Sequence, residues 1–563
     1  MAYREPTEHP GSRPTEGNGS AGRGVAADHG TAPSPAAEAV AIGRVVSVRG
    51  SRVVAVAAGQ AAGTAPQDLQ LSALVKMHTP ESVIFGMVSG LDSREPGPGE
   101  GRAETYAVQI DLVGETVTDA GGRTQAFQRG VSYSPRLGDT VYAATAEDLR
   151  QVYARPTAPC ARVGHIYQDR SLPAYIVVDE LLGKHFAVLG TTGSGKSCAV
   201  SQILRAILAQ HGMGHVVLLD LHNEYGAGFR DCAEVLGTGE LELPHWILNF
   251  EELQEILIGH NEDREAAAAI LSEGVMDARR TYLGEDAAHR RFTVDTPIPY
   301  RMADVLRRID ISLGKLNKPT DSAPYIRLKD RISTLQNDRR YAFMFEEGLK
   351  VRDNMSQILS RVFRVPVDGK PLTILDLSDV PSEIMNVVIA LICRLTFDFA
   401  LWTDRDMPVM LVCEEAHRYA ADGDDSFAMT RRALSQIANE GRKYGVSLCL
   451  VSQRPSELSV GILSQCNTIF AMRMSNQKDQ DFVETRLSES AMGLLDSLPS
   501  LRTGEAIGVG EGVSVPVRLY FDLLPAEQLP RSGTASFSSA WRGEGRDEAY
   551  IEDIVERWRN QHR

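Results

Sequence analysis

The chain has no CxxC pair, and its seven cysteines are an odd number scattered over 563 residues. That excludes a disulfide framework and a zinc ribbon, and it reads as reduced thiols in a cytoplasm. A surplus of basic charge is also missing. There are 59 Lys and Arg against 74 Asp and Glu, a formal net charge of −15. A protein that coats nucleic acid would carry an overall basic surface. Contact through a few basic loops inside a pore stays open. The N-terminus lacks an apolar run, so no secretory signal is visible. The most apolar long stretch, residues 387–402, contains Arg394 and Asp398 and is too short to span a bilayer. A buried helix is expected there. The remaining composition is ordinary for a folded protein, 43% hydrophobic and 24% charged, with length for two or three domains.

Four segments follow from the pattern along the chain. Residues 1–38 are rich in Gly, Pro, Ser and Ala with almost no large apolar side chains, which predicts a disordered leader. Residues 39–165 look all-β. Two apolar runs flank Gly50-Ser51 as a hairpin would, and Tyr106, Val108, Ile110 and Leu112 alternate with Ala107, Gln109 and Asp111. Further turn signals stand at Gly86, Gly90, Gly121-Gly122 and Pro135, and a small barrel is the natural closure. From 166 to 525 the pattern becomes α/β. Apolar runs at 185–189, 216–220, 372–376, 409–413, 446–451 and 468–474 suggest strands of a mostly parallel sheet covered on both faces. The stretch between the second and third runs is too long for a simple crossover, which predicts a helical insertion at about 245–365. The tail, 526–563, ends in a segment with Tyr550, Ile551, Ile554, Val555 and Trp558 on one helical face. That face packs on its own domain or braces a neighbouring subunit.

The chemistry concentrates at one motif. Gly190, Thr191, Thr192, Gly193, Ser194, Gly195, Lys196 and Ser197 fit the phosphate-binding pattern GxxxxGK[ST]. Glycines let successive backbone N–H groups converge on phosphate oxygens. Lys196 would reach the β- and γ-phosphates of ATP, and Ser197 would ligate Mg²⁺. Cys198 opens a helix whose N-terminal dipole adds to phosphate binding. An apolar strand leads in and a helix leads out, as the motif requires. The run 409–413 ends at Glu414 and Glu415. Glu414 would hold the Mg²⁺ shell and Glu415 would orient and deprotonate the attacking water; a solvated strand end is the plainer reading. Gln453, after the run 446–451, fits a sensor of hydrolysis or a polar strand terminus. Arg442, at the end of a helix beginning near Ser426, fits a finger entering the next subunit's ATP site, or a cation soothing the helix dipole. The basic run Arg327, Lys329, Arg331, Arg339 and Arg340 reads first as a solvated helix face and second as a DNA contact.

Together these residues resemble the HerA family, within the HerA/FtsK branch of P-loop motors, over about residues 40–525. Asp220, His222, Glu224 and Tyr225 resemble the family's Asp-x-His-Gly-Glu-Tyr box, and 414–418 resembles its Asp-Glu-Ala-His motif. Residues 441–443 and 452–454 match two further family segments, and the stretch from Val163 to Leu189 resembles the join between barrel and core. Asn223 stands where the family has glycine, and Glu414 where it has aspartate. The resemblance implies a RecA-like P-loop core behind an N-terminal HAS barrel. It implies a homohexamer with ATP sites between subunits and double-stranded DNA in the central channel. It also implies a separate partner docked on the barrel: a NurA-like nuclease, or a defence effector such as a sirtuin-like NADase or a nuclease. Asp220, His222 and Glu224 become accessory site residues on the same ground. Two other readings stand beside this one: an ATP-regulated scaffold for an effector enzyme, and a conjugation or secretion motor.

Overall fold

The computed structural model describes residues 40–58, 70–94, 105–117, 125–259, 263–315, 322–345, 351–423, 425–485, 492–531, 537–542 and 547–559. The expected leader and the turn at Gly121-Gly122 lie outside the described residues.

The first part is a closed barrel. Its strands are β1 (Ala41–Arg49), β2 (Arg52–Ala58), β3 (Leu74–His78), β4 (Ser82–Arg94), β5 (Thr105–Val117), β6 (Gln128–Arg129) and β7 (Thr140–Ala143). The order is β2-β1-β7-β3-β4-β5, and β2 pairs again with β5 to close the ring, while β6 adds to β5. Gly50, at φ +58, sits in the β1–β2 hairpin where the sequence signals a turn. Val53, Ala55, Val75, Met77, Ile84, Val108, Ile110 and Val141 fill the interior. The polar partner of that core is Asp111, buried on β5 and paired with Arg52 at 3.1 Å.

The second part is an α/β core on one eleven-stranded sheet. Its strands are β8 (Cys160–Ile166), β9 (Pro173–Val177), β10 (Phe186–Leu189), β11 (His215–Asp220), β12 (Ala233–Leu236), β13 (Leu372–Asp376), β14 (Val409–Cys413), β15 (Val446–Ser452), β16 (Thr468–Met472), β17 (Glu505–Gly510) and β18 (Val517–Phe521). The order is β12-β13-β11-β14-β15-β10-β16-β17-β18-β8-β9. The strands from β12 to β16 run parallel, and the rest are antiparallel. This is the RecA-like P-loop arrangement, with β15 between the strand that leads into the loop, β10, and the strand that ends in two acids, β14. All residues of β10, β14, β15 and β16 are buried, which is why the sequence shows them as unbroken apolar runs.

The domain boundary needs a correction. Residues 160–165 belong to the core sheet, not to the barrel, because β8 pairs with β18 and β9. Gly164 makes this possible. A Cβ there would stand 1.8 Å from the Tyr520 carbonyl oxygen, so only glycine lets the two strands approach. The helix Ser382–Trp402 is long and apolar enough to cross a membrane, but 72% of its apolar window is buried inside the protein, where it covers the sheet. Between β12 and β13 the helices Phe250–Leu257, Arg264–Leu283, Met302–Leu313, Ala323–Asn337 and Met355–Val362 form the inserted layer. The C-terminal helix Glu548–Arg559 has no buried residue, and Trp558 is 79% exposed.

Candidate nucleotide site

Each element delivers one part of the site to the same edge of the sheet. β10 ends at Leu189, the loop follows, and the P-loop helix Lys196–Leu208 begins at Lys196. Neighbouring strand ends pin the loop. Gly190 N–H donates to Ser452 O at 3.2 Å, Thr191 N–H to Arg473 O at 2.9 Å, and Gly504 N–H to Ser194 O at 2.9 Å. Gly193 and Gly195 take φ values of +75 and +98, the left-handed region that turns backbone N–H groups inward. The first N–H groups of the P-loop helix have no partner within the helix and face the same hollow. Lys196 is 6% exposed, and its ammonium donates back to Thr191 O at 3.1 Å. Burial lowers its pKa, against the pull of Glu415, Glu414 and Glu224. Ser194 Oγ is buried without a partner beside the same loop. A left-handed glycine turn at the start of a helix, beside a buried ammonium, suits a polyphosphate.

The second part comes from β11. Asp220 is fully buried, and its carboxylate accepts from the backbone N–H groups of His222, Glu224 and Tyr225 at 3.2, 3.1 and 2.9 Å. Burial pushes its pKa up while these bonds pull it down. Asp220 therefore folds the loop and does not face the phosphate hollow. Asn223 takes φ +53, so the residue in place of glycine holds the left-handed turn. The turn places Glu224 so that Ser197 Oγ donates to its carboxylate at 2.8 Å. It also buries Tyr225, whose hydroxyl donates to Glu414 Oε2 at 3.0 Å. His222 stays exposed, 3.4 Å from the Arg418 guanidinium.

The third part is the acid pair after β14. Glu414 and Glu415 are both 3% exposed, so neither is a solvated strand end. Burial, and then the charge of Glu415, pushes the Glu414 carboxyl up to about 8. Glu415 takes φ +49, a strained conformation for a residue with a long side chain. Gln453 donates to Glu415 Oε1 and accepts from the Thr192 hydroxyl, which joins the sensor position to both the phosphate loop and the second acid. His417 Nδ1 lies 3.2 Å from Glu415 Oε2. The sequence had assigned no role to Tyr225, Thr192's hydroxyl or His417. Tyr225 and Thr192 bond residues far away in the chain, so their motifs mark the positions but not these bonds.

Arg442 stands apart from these groups. It is exposed in the last turn of the helix Ala428–Tyr444, just before β15 begins. The phosphate loop lies at the other end of β15, about 20 Å away at the ordinary rise of a strand. The basic run is mostly paired: Arg327 with Asp263, Lys329 with Asp310 at 2.6 Å, Arg340 with Asp338 at 2.7 Å, and Arg331 with the Ile256 carbonyl at 3.1 Å. Those pairings favour the solvated helix face over a DNA contact.

Residues 161–396 match the family model described as the central domain of helicase HerA. The chain is 28% identical over 428 residues to the DNA double-strand break repair helicase HerA of Pyrococcus furiosus, covering 68% of this chain and 73% of that one. Over these spans the chain is similar to the HerA family. A second HerA relative, a probable DNA double-strand break repair helicase of Methanocaldococcus jannaschii, is 28% identical over 411 residues, covering 67% and 78%. Among solved structures, VirB4 of Thermoanaerobacter pseudethanolicus overlays with a TM-score of 0.45 at 15% identity, over 66% of this chain and 99% of that one. The chain is an ATPase, and the loop 190–197 is its candidate nucleotide site.

Among the described residues no three His, Cys, Asp or Glu side chains cluster as a metal cage. Mg²⁺ needs none, since it is commonly held by one or two carboxylates together with substrate phosphates. The Ser197 hydroxyl, Glu224 and Glu414 are oxygen donors of that kind. A testable consequence concerns Glu414. Its raised pKa means that its proton stabilises the fold below the ordinary carboxylate range, and that this stabilisation is lost as pH climbs through about 8. A cation arriving beside it at neutral pH must expel that proton. Mg²⁺-nucleotide binding is therefore expected to release about one proton at neutral pH and to tighten roughly tenfold per pH unit up to about 8. Calorimetry in buffers of different ionisation enthalpy measures both. The Glu414→Gln variant should release none.

Proposed function

We propose that this ATPase is a motor on double-stranded DNA, assembled as a homohexamer with its ATP sites between subunits. The position of Arg442 carries the reading. It lies a full strand length from its own phosphate loop, so an arginine acting on ATP from there must act on another subunit's nucleotide. Hydrolysis would then be coupled to movement between subunits. In each site Lys196 and the loop amides hold the phosphates, with Mg²⁺ on Ser197 and Glu414. Glu415 takes the proton of the attacking water, and Gln453 senses the γ-phosphate through Thr192. Asp220 and His222 support the site from β11, and Glu224 joins the Mg²⁺ shell. The helix Glu548–Arg559, which buries none of its residues and leaves Trp558 79% exposed, supports a brace to a neighbouring subunit.

The relatives named as DNA repair helicases support DNA as the track. Pore loops would grip phosphates, giving little sequence preference and a steep salt dependence. The barrel is the docking face for a separate nuclease of NurA type or a defence effector. All seven cysteines are free thiols, which supports a reducing cytoplasm.

Electron microscopy of the purified chain should show rings of six, and duplex DNA should stimulate turnover. Glu415→Gln should cut kcat by about 10²–10⁴ while nucleotide and DNA binding persist. A strict monomer, or turnover indifferent to duplex DNA, would overturn the motor. An effector that stays fully active with Glu415→Gln rings would select the scaffold reading instead.

A further inference from the structure

His185 is set into the fold in an unusual way. It precedes β10 at φ +54, left-handed backbone that histidine seldom adopts, and it is 2% exposed. Both ring nitrogens are committed, to two different elements. The Leu448 N–H of β15 donates to Nδ1 at 3.0 Å. Nε2 lies 3.2 Å from the Ala438 carbonyl oxygen. A carbonyl can only accept, so Nε2 carries the proton and the tautomer is fixed by its partners. Burial holds the ring's pKa below its ordinary value, and the nearby positive charge of Arg442 adds to that. The ring is thus a neutral clamp between strand β15 and the helix Ala428–Tyr444.

Both partners bear on the site. β15 ends at Ser452, whose carbonyl holds Gly190, and leads into Gln453. In an α-helix the amide of residue i bonds the carbonyl of residue i−4, so the Ala438 carbonyl is also the acceptor for the Arg442 amide. His185 therefore grips the carbonyl that holds the Arg442 backbone, and it does so from the strand that carries the phosphate loop.

We propose that His185 is a positioning residue: it ties the backbone beneath Arg442 to the two strands of its own nucleotide site, so that the arginine offered to the neighbour is set by the subunit that offers it. This rests on the reading that Arg442 acts on a neighbouring subunit. The clamp has two arms, and two substitutions separate them. Asparagine places an acceptor where Nδ1 stands and tolerates left-handed backbone, so H185N keeps the β15 arm and drops the helix arm. Glutamine places a donor where Nε2 stands, so H185Q keeps the helix arm and leaves the Leu448 N–H unpaired.

The test uses the full-length ring. With H185N, kcat should fall about tenfold, the size of loss that a small misplacement of a catalytic group produces. KM and the affinity for a fluorescent ATP analogue should stay within about twofold. With H185Q, kcat should stay within about threefold while the melting temperature drops, because a buried N–H has lost its partner. In the Arg442→Ala background H185N should cost nothing further, since the group it positions is gone. Full kcat in H185N overturns the proposal. So does a folded H185Q that is as slow as H185N, or a tenfold cost that persists without Arg442. If Arg442→Ala alone leaves turnover intact, the intersubunit reading falls first and takes the proposal with it.

Discussion

Replacing Lys196 with alanine is expected to cut ATP turnover by about 10³-fold or more. The structure gives two reasons. The ammonium is buried in the hollow that the loop amides surround, and it is the cation that Glu415, Glu414 and Glu224 all feel. Without it the phosphates lose a charge-assisted donor, and three carboxylates are left facing one another in a site of low polarity. Losing Lys196 also removes a charge that pulls the Glu414 carboxyl down, so that carboxyl holds its proton more firmly. Nucleotide affinity should therefore fall by less than kcat, because the loop amides and the helix N-terminus remain. Turnover under saturating ATP and duplex DNA measures the first, and equilibrium binding of a fluorescent analogue measures the second. A Lys196→Ala protein retaining a tenth of the wild-type rate would mean that the loop 190–197 is not the working site.

The loss for Arg442→Ala should be about as large, roughly 10³-fold in kcat, but of a different kind. Its own nucleotide site lies a strand length away, so affinity for the analogue should change by no more than about threefold. The diagnostic is mixing. On the proposed intersubunit arrangement, each interface would draw its lysine from one subunit and its arginine from the next. Rings assembled from equal parts Lys196→Ala and Arg442→Ala subunits should then regain activity at about a quarter of their head-to-tail interfaces, although each parent is nearly inactive. A mixed ring with no recovery would place the arginine elsewhere. Loss of nucleotide binding in Arg442→Ala alone would mean that it serves its own subunit.

What the sequence revealed and what it hid divide along physical lines. The phosphate loop is local: one strand, one glycine-rich turn and one helix start are contiguous, so spacing alone places them. The six apolar runs became β10, β11, β13, β14, β15 and β16 because strands covered on both faces leave an unbroken apolar signature. β12 escaped notice, being four residues that include Glu234. β8 was assigned to the barrel because nothing in its own residues says which sheet it will join. That is decided by Gly164 against Tyr520, some 350 positions apart. The left-handed tolerance of Asn223 was legible, since it is a property of the side chain. The equally left-handed Glu415 was not, since nothing local favours it. His185 was invisible because, like the bond of the Tyr225 hydroxyl, its contacts are supplied by other strands and helices.

The second pairing between β2 and β5 has a bearing on whatever associates with this chain through its N-terminal part. A cylinder of strands with its seam joined offers no row of vacant backbone groups along that seam for a foreign strand to zip against. An effector that lands there must recognise loops and side chains, whose identity drifts readily between relatives. A change of partner there would then proceed by changes at the rim, with the strands behind it left as they are.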